Sequence, residues 1–282
     1  MDNSIINSKI NLQQVEKQDD VEQQALLFIE NCNAKGPGCC GRICRIIYFI
    51  SYSLTDNDIE NISDIFITFT KAKKYNLLFE NLLDNNNINK TLTMDEENWR
   101  IGSKNIFIKN IIKDKNFSKL SKIAKLIKFK EEFNVYENKL YDLSIHLRLT
   151  DMNAGHGNIY GIVNYPDYIE AINKFLKNNN IRNIFIASDN LKSMNNMTKF
   201  IKDIDNNYNI ITNNCKYISQ QENDTSRWTN GNHFPEVYVI EVLNDVFNLS
   251  RSKKFIYRTS SVAILSLLLS KNLTSDDLIY LD

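Results

Sequence analysis

The sequence has no excess of charge of either sign: 34 lysine and arginine residues face 34 aspartate and glutamate residues. Without a net field, the chain as a whole draws in neither nucleic acid nor an anionic membrane, and any anion site has to be built locally. It also lacks an apolar stretch near the ~20 residues that cross a bilayer. Met1 to Asp20 contain no apolar run of the signal-peptide kind. Residues 1–22 hold too little apolar content for a core and read as a polar tail. The expectation is a cytoplasmic protein with no membrane span and no nucleic-acid partner.

A disulfide framework is missing as well. The five cysteines are Cys32, Cys39, Cys40, Cys44 and Cys215, an odd number with four gathered round one glycine-rich turn. Cys39 and Cys40 are adjacent and no C-x-x-C pair exists, so reduced thiols are expected rather than a zinc site. No internal repeat is present.

The composition is that of a packed protein, 43% hydrophobic and 24% charged over 282 residues. A short apolar run, Ala25–Glu30, leads into a turn containing Gly36, Pro37 and Gly38. Ile43, Ile46, Ile47 and Ile50 then recur at helical spacing. This reads as strand, turn and helix, in which Gly36 and Gly38 let backbone approach a ligand closely. Strand-like stretches follow at Asp64–Thr70 and Asn105–Ile108, with a helix near Lys74–Leu83. A basic amphipathic helix covers Lys119–Lys130, expected to pack its apolar side and leave its lysines in solvent.

From Tyr141 the pattern sharpens. Strands are expected at Leu143–Leu147, Asn183–Ala187, Tyr208–Thr212 and Lys254–Tyr257. Helices are expected at Pro166–Lys177, Pro235–Leu249 and Val262–Ser270. Strands alternating with helices imply parallel α/β architecture. Two such halves are expected, 23–138 and 139–282.

Three constellations carry chemistry. Ile145-His146-Leu147-Arg148-Leu149-Thr150-Asp151 ends a strand, where open parallel sheets bind ligands. His146 and Arg148 share a strand face, and an arginine there offers a planar fork to a phosphate. The plain alternative is an Arg148–Asp151 ion pair. Arg258-Thr259-Ser260-Ser261 joins a strand to an apolar helix, so its hydroxyls either cap the helix or serve an anion at its start. Asp245 stands one turn after Glu241 on the Pro235–Leu249 helix. Such a pair is either a solvated face or, at a cleft, an acceptor for two N–H donors.

Together, H-x-R-x-T-D after a strand, Ala187-Ser188-Asp189 about 40 residues on, Asp245 followed by Leu249-Ser250, and then Ser260-Ser261 resemble the core of the α-1,6-fucosyltransferases and rhizobial nodulation fucosyltransferases. The resemblance covers about 25–55 and 141–265. It implies a GT-B fold of two Rossmann-like domains, 23–138 on the acceptor side and 139–282 binding the nucleotide sugar. The implied activity moves fucose from GDP-fucose to a glycan hydroxyl with inversion and without metal or other cofactor.

Carried onto this sequence, Arg148 neutralises the β-phosphate of departing GDP. His146 and Asp245 recognise the guanosine end, and Ser260 and Ser261 hold the pyrophosphate. Asp189 belongs to the same donor site. No D-x-D metal motif stands between a strand and the cleft. Departures are Leu149 for a second arginine, Met152 for lysine, Asn190 for a second aspartate and Val262 for glutamine. His156 falls opposite the family's base, on the loop Ala154-Gly155-His156-Gly157, and imidazole titrates in a range suited to that task; Asp151 is the other candidate base. A catalytic core without the family's membrane anchor, stem and SH3 domain is expected. Two alternatives stay open: a GT-B transferase using another nucleotide sugar, and an inactive GT-B-like module that binds glycan or protein.

Overall fold

The computed structural model describes residues 39–61, 65–69, 90–94, 111–113, 115–126, 140–149, 165–178, 180–213, 215, 236–271 and 273–281. The chain divides into two compact units, 1–106 with 115–132, and 107–114 with 133–282.

The second unit is built on a five-stranded, all-parallel sheet. Its strands are β3 (Leu143–Leu147), β4 (Asn183–Ser188), β5 (Asn209–Thr212), β6 (Phe255–Arg258) and β7 (Leu278–Leu281), in the order β5-β4-β3-β6-β7. The chain therefore steps outward from β3 to β5, then returns to lay β6 and β7 on the other flank. Its helices are α4 (Tyr165–Asn178), α5 (Leu191–Ile204), α6 (Glu236–Ser250) and α7 (Ser261–Leu269). The unit is thus α/β and compatible with a Rossmann-like fold.

Position in the sheet explains composition. Every residue of β3 and β6 is buried, whereas the edge strand β5 is exposed or half-buried throughout. Central parallel strands, covered on both faces, favour apolar runs, and the buried polar residues of these two strands are Ser144 and His146 in β3 and Arg258 in β6. Leu143, Ile145, Leu147 and Leu149 enter one core with Ile184, Ile186 and Ile256. Tyr168, Ala171, Ile172 and Phe175 of α4, and Met194, Met197 and Ile201 of α5, close that core. Burial of each large apolar side chain is worth about 1.5–3 kcal/mol, so a one-residue slip of β3, which would move Leu143, Ile145 and Leu147 to the other face, is strongly disfavoured. Pro166 sits in the first turn of α4, where a missing N–H breaks no helical bond. On the opposite face α6 packs against β3, β4 and α7.

The observed elements match the expected strands and helices of this half to within one or two residues. Helix α5 and strand β7 are additions. Asn190 starts α5, its side-chain oxygen accepting from Ser193 N at 2.8 Å.

In the first unit, α1 (Cys39–Ser53) and α2 (Asp56–Asn61) both pack on α3 (Phe117–Leu126), and β1 (Ile65–Phe69) pairs in parallel with β2 (Lys90–Met94). Cys40, Ile43, Cys44 and Ile47 of α1 and Leu120, Ile123 and Ala124 of α3 are fully buried, while Lys122 and Lys125 are exposed, as expected of this basic helix. Lys119 donates to Leu54 O at 2.7 Å and pairs with Asp56 at 3.4 Å, tying α3 to the α1–α2 turn. Cys40 and Cys44 are buried thiols that form no disulfide. The expected elements at Ala25–Glu30, Lys74–Leu83 and Asn105–Ile108 lie outside the described residues.

Candidate functional site at the carboxyl edge of the sheet

Strands β3 and β6 are neighbours, yet the helices that follow them run on opposite faces. This makes the gap between their carboxyl ends a topological switch point, the place where open α/β sheets bind ligands. His146 and Arg148 stand at the end of β3, and Arg258, Thr259 and Ser260 at the end of β6.

His146 is 3% exposed, with Nδ1 at 3.4 Å from Ser260 Oγ. Burial, and secondarily the positive charge of Arg148, push its pKa down to about 4, against a smaller opposite pull from Asp189. The imidazole is therefore neutral at physiological pH. It serves as a hydrogen-bonding group rather than a cation. When the Ser260 hydroxyl donates to Nδ1, the ring proton resides on Nε2, leaving a donor at the far end of the ring.

Ser260 is also the N-cap of α7, its Oγ accepting from Ala263 N at 3.1 Å. The helix-capping alternative for this hydroxyl is thus realised. Ser261 is the first residue of α7 and is half-buried. Thr259 Oγ1 donates to Tyr280 Oη at 2.9 Å, which ties the β6 end to β7.

Arg148 is held by Asp189 rather than left to swing. Its Nη1 lies 3.1 Å from Asp189 Oδ2, with side-chain exposures of 16% and 11%. The other carboxylate oxygen accepts from Leu149 N at 3.3 Å. Asp189 therefore grips both the backbone and the guanidinium at the end of β3. The pairing Leu147↔Ser188 in the parallel register brings these residues side by side. Asn190 supports the turn from beyond: fully buried, it caps α5 through its side chain and donates its N–H to Ser188 Oγ at 3.0 Å.

Two further residues shape the site, of which Tyr168 has no signal in the local sequence. Tyr168 of α4, fully buried, donates its hydroxyl to His146 O at 3.0 Å and accepts from Arg148 N at 3.3 Å. The last turn of β3 is thereby pinned to α4, and burial holds the phenol well above its usual range. Arg258 is fully buried at the end of β6, and its charge, like that of Arg148, acts on Tyr168. Two guanidinium groups thus mark the switch point.

Asp245 belongs to a separate network on α6. It is half-buried, and its Oδ1 accepts from Asn213 Nδ2 at 2.6 Å. Burial and the charge of Glu241 push its pKa up to about 7, against the lowering effect of the Asn213 hydrogen bond.

The structure thus brings His146, Arg148, Asp189 and Ser260 together; Gly36, Gly38, Asp151 and His156 lie outside the described residues. Among the described residues no group of three His, Cys, Asp or Glu side chains converges as a metal site requires, and no helix is long and apolar enough to cross a membrane. No protein-family model matches this chain, and no curated protein sequence matches it at a significant level.

Proposed function

We propose that this protein is a nucleotide-sugar-dependent glycosyltransferase of the two-domain GT-B type, with GDP-fucose as donor and a glycan hydroxyl as acceptor. The observation that carries the reading is the meeting of the β3 end, with His146 and Arg148, and the α7 start, with Ser260, at the switch point of an all-parallel sheet.

A diphosphate placed there faces a guanidinium already oriented by Asp189, a neutral histidine that donates without adding charge, and the N-terminus of a nine-residue helix. In the reaction the acceptor oxygen attacks the anomeric carbon of the donor. The bond from that carbon to the β-phosphate oxygen breaks and GDP departs with the electron pair. The acceptor proton passes to a base, His156 or Asp151 in the reading from sequence. Most of the catalytic effect available to such a site lies in stabilising charge that develops on the leaving diphosphate.

The test is release of GDP from GDP-fucose in the presence of a mixed glycan acceptor pool, with UDP-glucose as comparison. Release from GDP-fucose supports the reading. Release from UDP-glucose alone transfers the assignment to a hexosyltransferase. Absence of release from either donor, with glycan still bound in the same preparation, identifies a binding module.

A further inference from the structure

The α6 face of the sheet carries a chain of polar side chains whose orientations determine one another. It starts at Asn248, which is 1% exposed. Its Nδ2 donates to Asn244 O at 3.0 Å. A backbone carbonyl only accepts, so this end of the Asn248 amide must be nitrogen. Its Oδ1 therefore receives the Tyr141 hydroxyl at 2.9 Å. The same Nδ2 lies 3.4 Å from Asn213 Oδ1, a long contact that still requires oxygen at that position. Asn213 must then present its nitrogen to Asp245, at 2.6 Å. Flipping Asn213 would set oxygen against a carboxylate at one end and nitrogen against nitrogen at the other. An amide orientation that is usually ambiguous is thus settled by a backbone carbonyl two side chains away.

Position matters as much as orientation. Asn213 follows the last residue of β5, at the carboxyl edge of the sheet and two strands from β3. Strands are spaced by about 4.8 Å, so the ends of β5 and β3 are about 10 Å apart along that edge. Tyr141 and Asn248 are closed to solvent, whereas Asn213 and Asp245 are half-buried. The Asn213 amide carries two N–H groups, and an ionised carboxylate offers several lone pairs on two oxygens. Read along the pair, Asn213 Nδ2, Asp245 Oδ1 and Asp245 Oδ2 form a donor–acceptor–acceptor row.

We propose that Asn213 is a specificity-determining residue that joins Asp245 in a single edge for the base of a 6-oxopurine nucleoside diphosphate. Asn213 Nδ2–H donates to the O6 carbonyl, and Asp245 accepts N1–H at Oδ1 and the 2-amino group at Oδ2. The proposal rests on the guanine-nucleotide reading of the site and adds to it the residue that faces O6. Adenine places an amino group where O6 should be, donor against donor. Uracil offers an acceptor and a donor to the first two positions, but turns its second carbonyl towards Asp245 Oδ2. Buried polar groups left facing their own kind are what make such sites discriminate.

The test is calorimetric titration of GDP, IDP, ADP and UDP at pH 8 into the full chain and its Asn213→Ala and Tyr141→Phe variants. IDP has O6 and N1–H but no 2-amino group, so it separates the Asn213 contact from the outer Asp245 contact. Asn213→Ala is expected to weaken GDP and IDP together by about 5–20-fold, the effect of one to two hydrogen bonds, while leaving the GDP-to-IDP ratio and ADP binding unchanged. Tyr141→Phe keeps Asn213 but removes one of the two hydrogen bonds that orient Asn248, and so loosens the Asn213 amide. It is expected to lower GDP and IDP in the same ratio by a few-fold, and provides a second measurement should Asn213→Ala disturb folding. A wild-type preference for GDP that survives both substitutions overturns this proposal and leaves the guanine reading standing. Equal loss for all four diphosphates overturns it too, because a structural role alone would act that way. A wild-type chain that binds UDP as tightly as GDP overturns the guanine reading and this proposal with it.

Discussion

Acidification acts on His146 through a simple linkage. An unfolded histidine titrates near 6.5, and the folded one near 4, because burial and Arg148 both disfavour the imidazolium. Between these values the unfolded chain binds the proton and the native chain does not. The stability associated with neutral His146 is therefore fully present above pH 6.5 and lost as pH falls towards 4. At about 1.4 kcal/mol per pH unit, the gap corresponds to about 3 kcal/mol. That is a large part of the 5–15 kcal/mol that holds a typical domain together.

Asp245 works against it. Its folded pKa is raised from 3.8 to about 7, so its contribution is present at low pH and lost as pH rises through 7. Because its side chain is half-exposed, solvent screening makes this contribution smaller than the gap implies. From pH 4 to 6.5 the two effects oppose each other, and the wild-type curve should climb less than His146 alone would require. His146→Gln, which does not titrate, should remove the climb. Its stability relative to wild type should rise by about 3 kcal/mol on going from pH 6.5 to 4. Urea midpoints across this range, read by far-UV circular dichroism and assigned to the five-stranded sheet by hydrogen exchange of β3 and β4 amides, measure the difference. With only three histidines in the chain, ring-proton NMR gives the His146 titration directly. A His146 pKa of 6 or above, or a His146→Gln profile parallel to wild type, rules this linkage out.

Arg148→Lys should lower GDP-fucose turnover by about 100–1,000-fold, since a point charge does not replace a planar fork on a phosphate; turnover within tenfold of wild type rules out the assigned role. Tyr168→Phe removes two hydrogen bonds to the β3 end and should destabilise the fold by about 1–3 kcal/mol in urea titration, with no loss if α4 does not pin that strand. Asn190→Ala removes the α5 cap and should cost about 0.5–2 kcal/mol, whereas Asn190→Asp should retain most of the stability; equal losses in both would show that capping is not its contribution.

The elements legible in the sequence are those whose burial leaves a local pattern. β4 and β6 are covered on both faces and read as short apolar runs, β3 alternates its apolar residues with the buried Ser144 and His146, and α4 turns Tyr168, Ala171, Ile172 and Phe175 inward at helical spacing. Helix α5 has the spacing as well, with Met194, Met197 and Ile201 inward, but asparagines and lysines dilute the signal. Its start depends on the side chain of Asn190, a residue equally at home in a turn. Strand β7, Leu278 to Leu281, is a continuous apolar run, but four half-buried residues at an edge are too few to set a strand apart from other short apolar stretches.

The candidate site divides along the same physical line. His146, Arg148, Ser260 and Ser261 stand at strand-to-helix junctions, so their places follow from local elements alone. What holds them comes from far along the chain: Asp189 reaches the β3 end across 40 residues and Tyr168 across 20. Asp245 shows the consequence most clearly. From sequence it is one carboxylate near Glu241 on a helix, equally suited to a solvated face. In the fold its oxygen meets Asn213, whose amide is turned by Asn248, which Tyr141 reaches from 107 residues away. Spacing along one helix carries no trace of that chain, because each link is made by the order in which the parallel strands assemble. The chemistry of a residue type is local, but its orientation, and hence what it can select, is a property of the sheet.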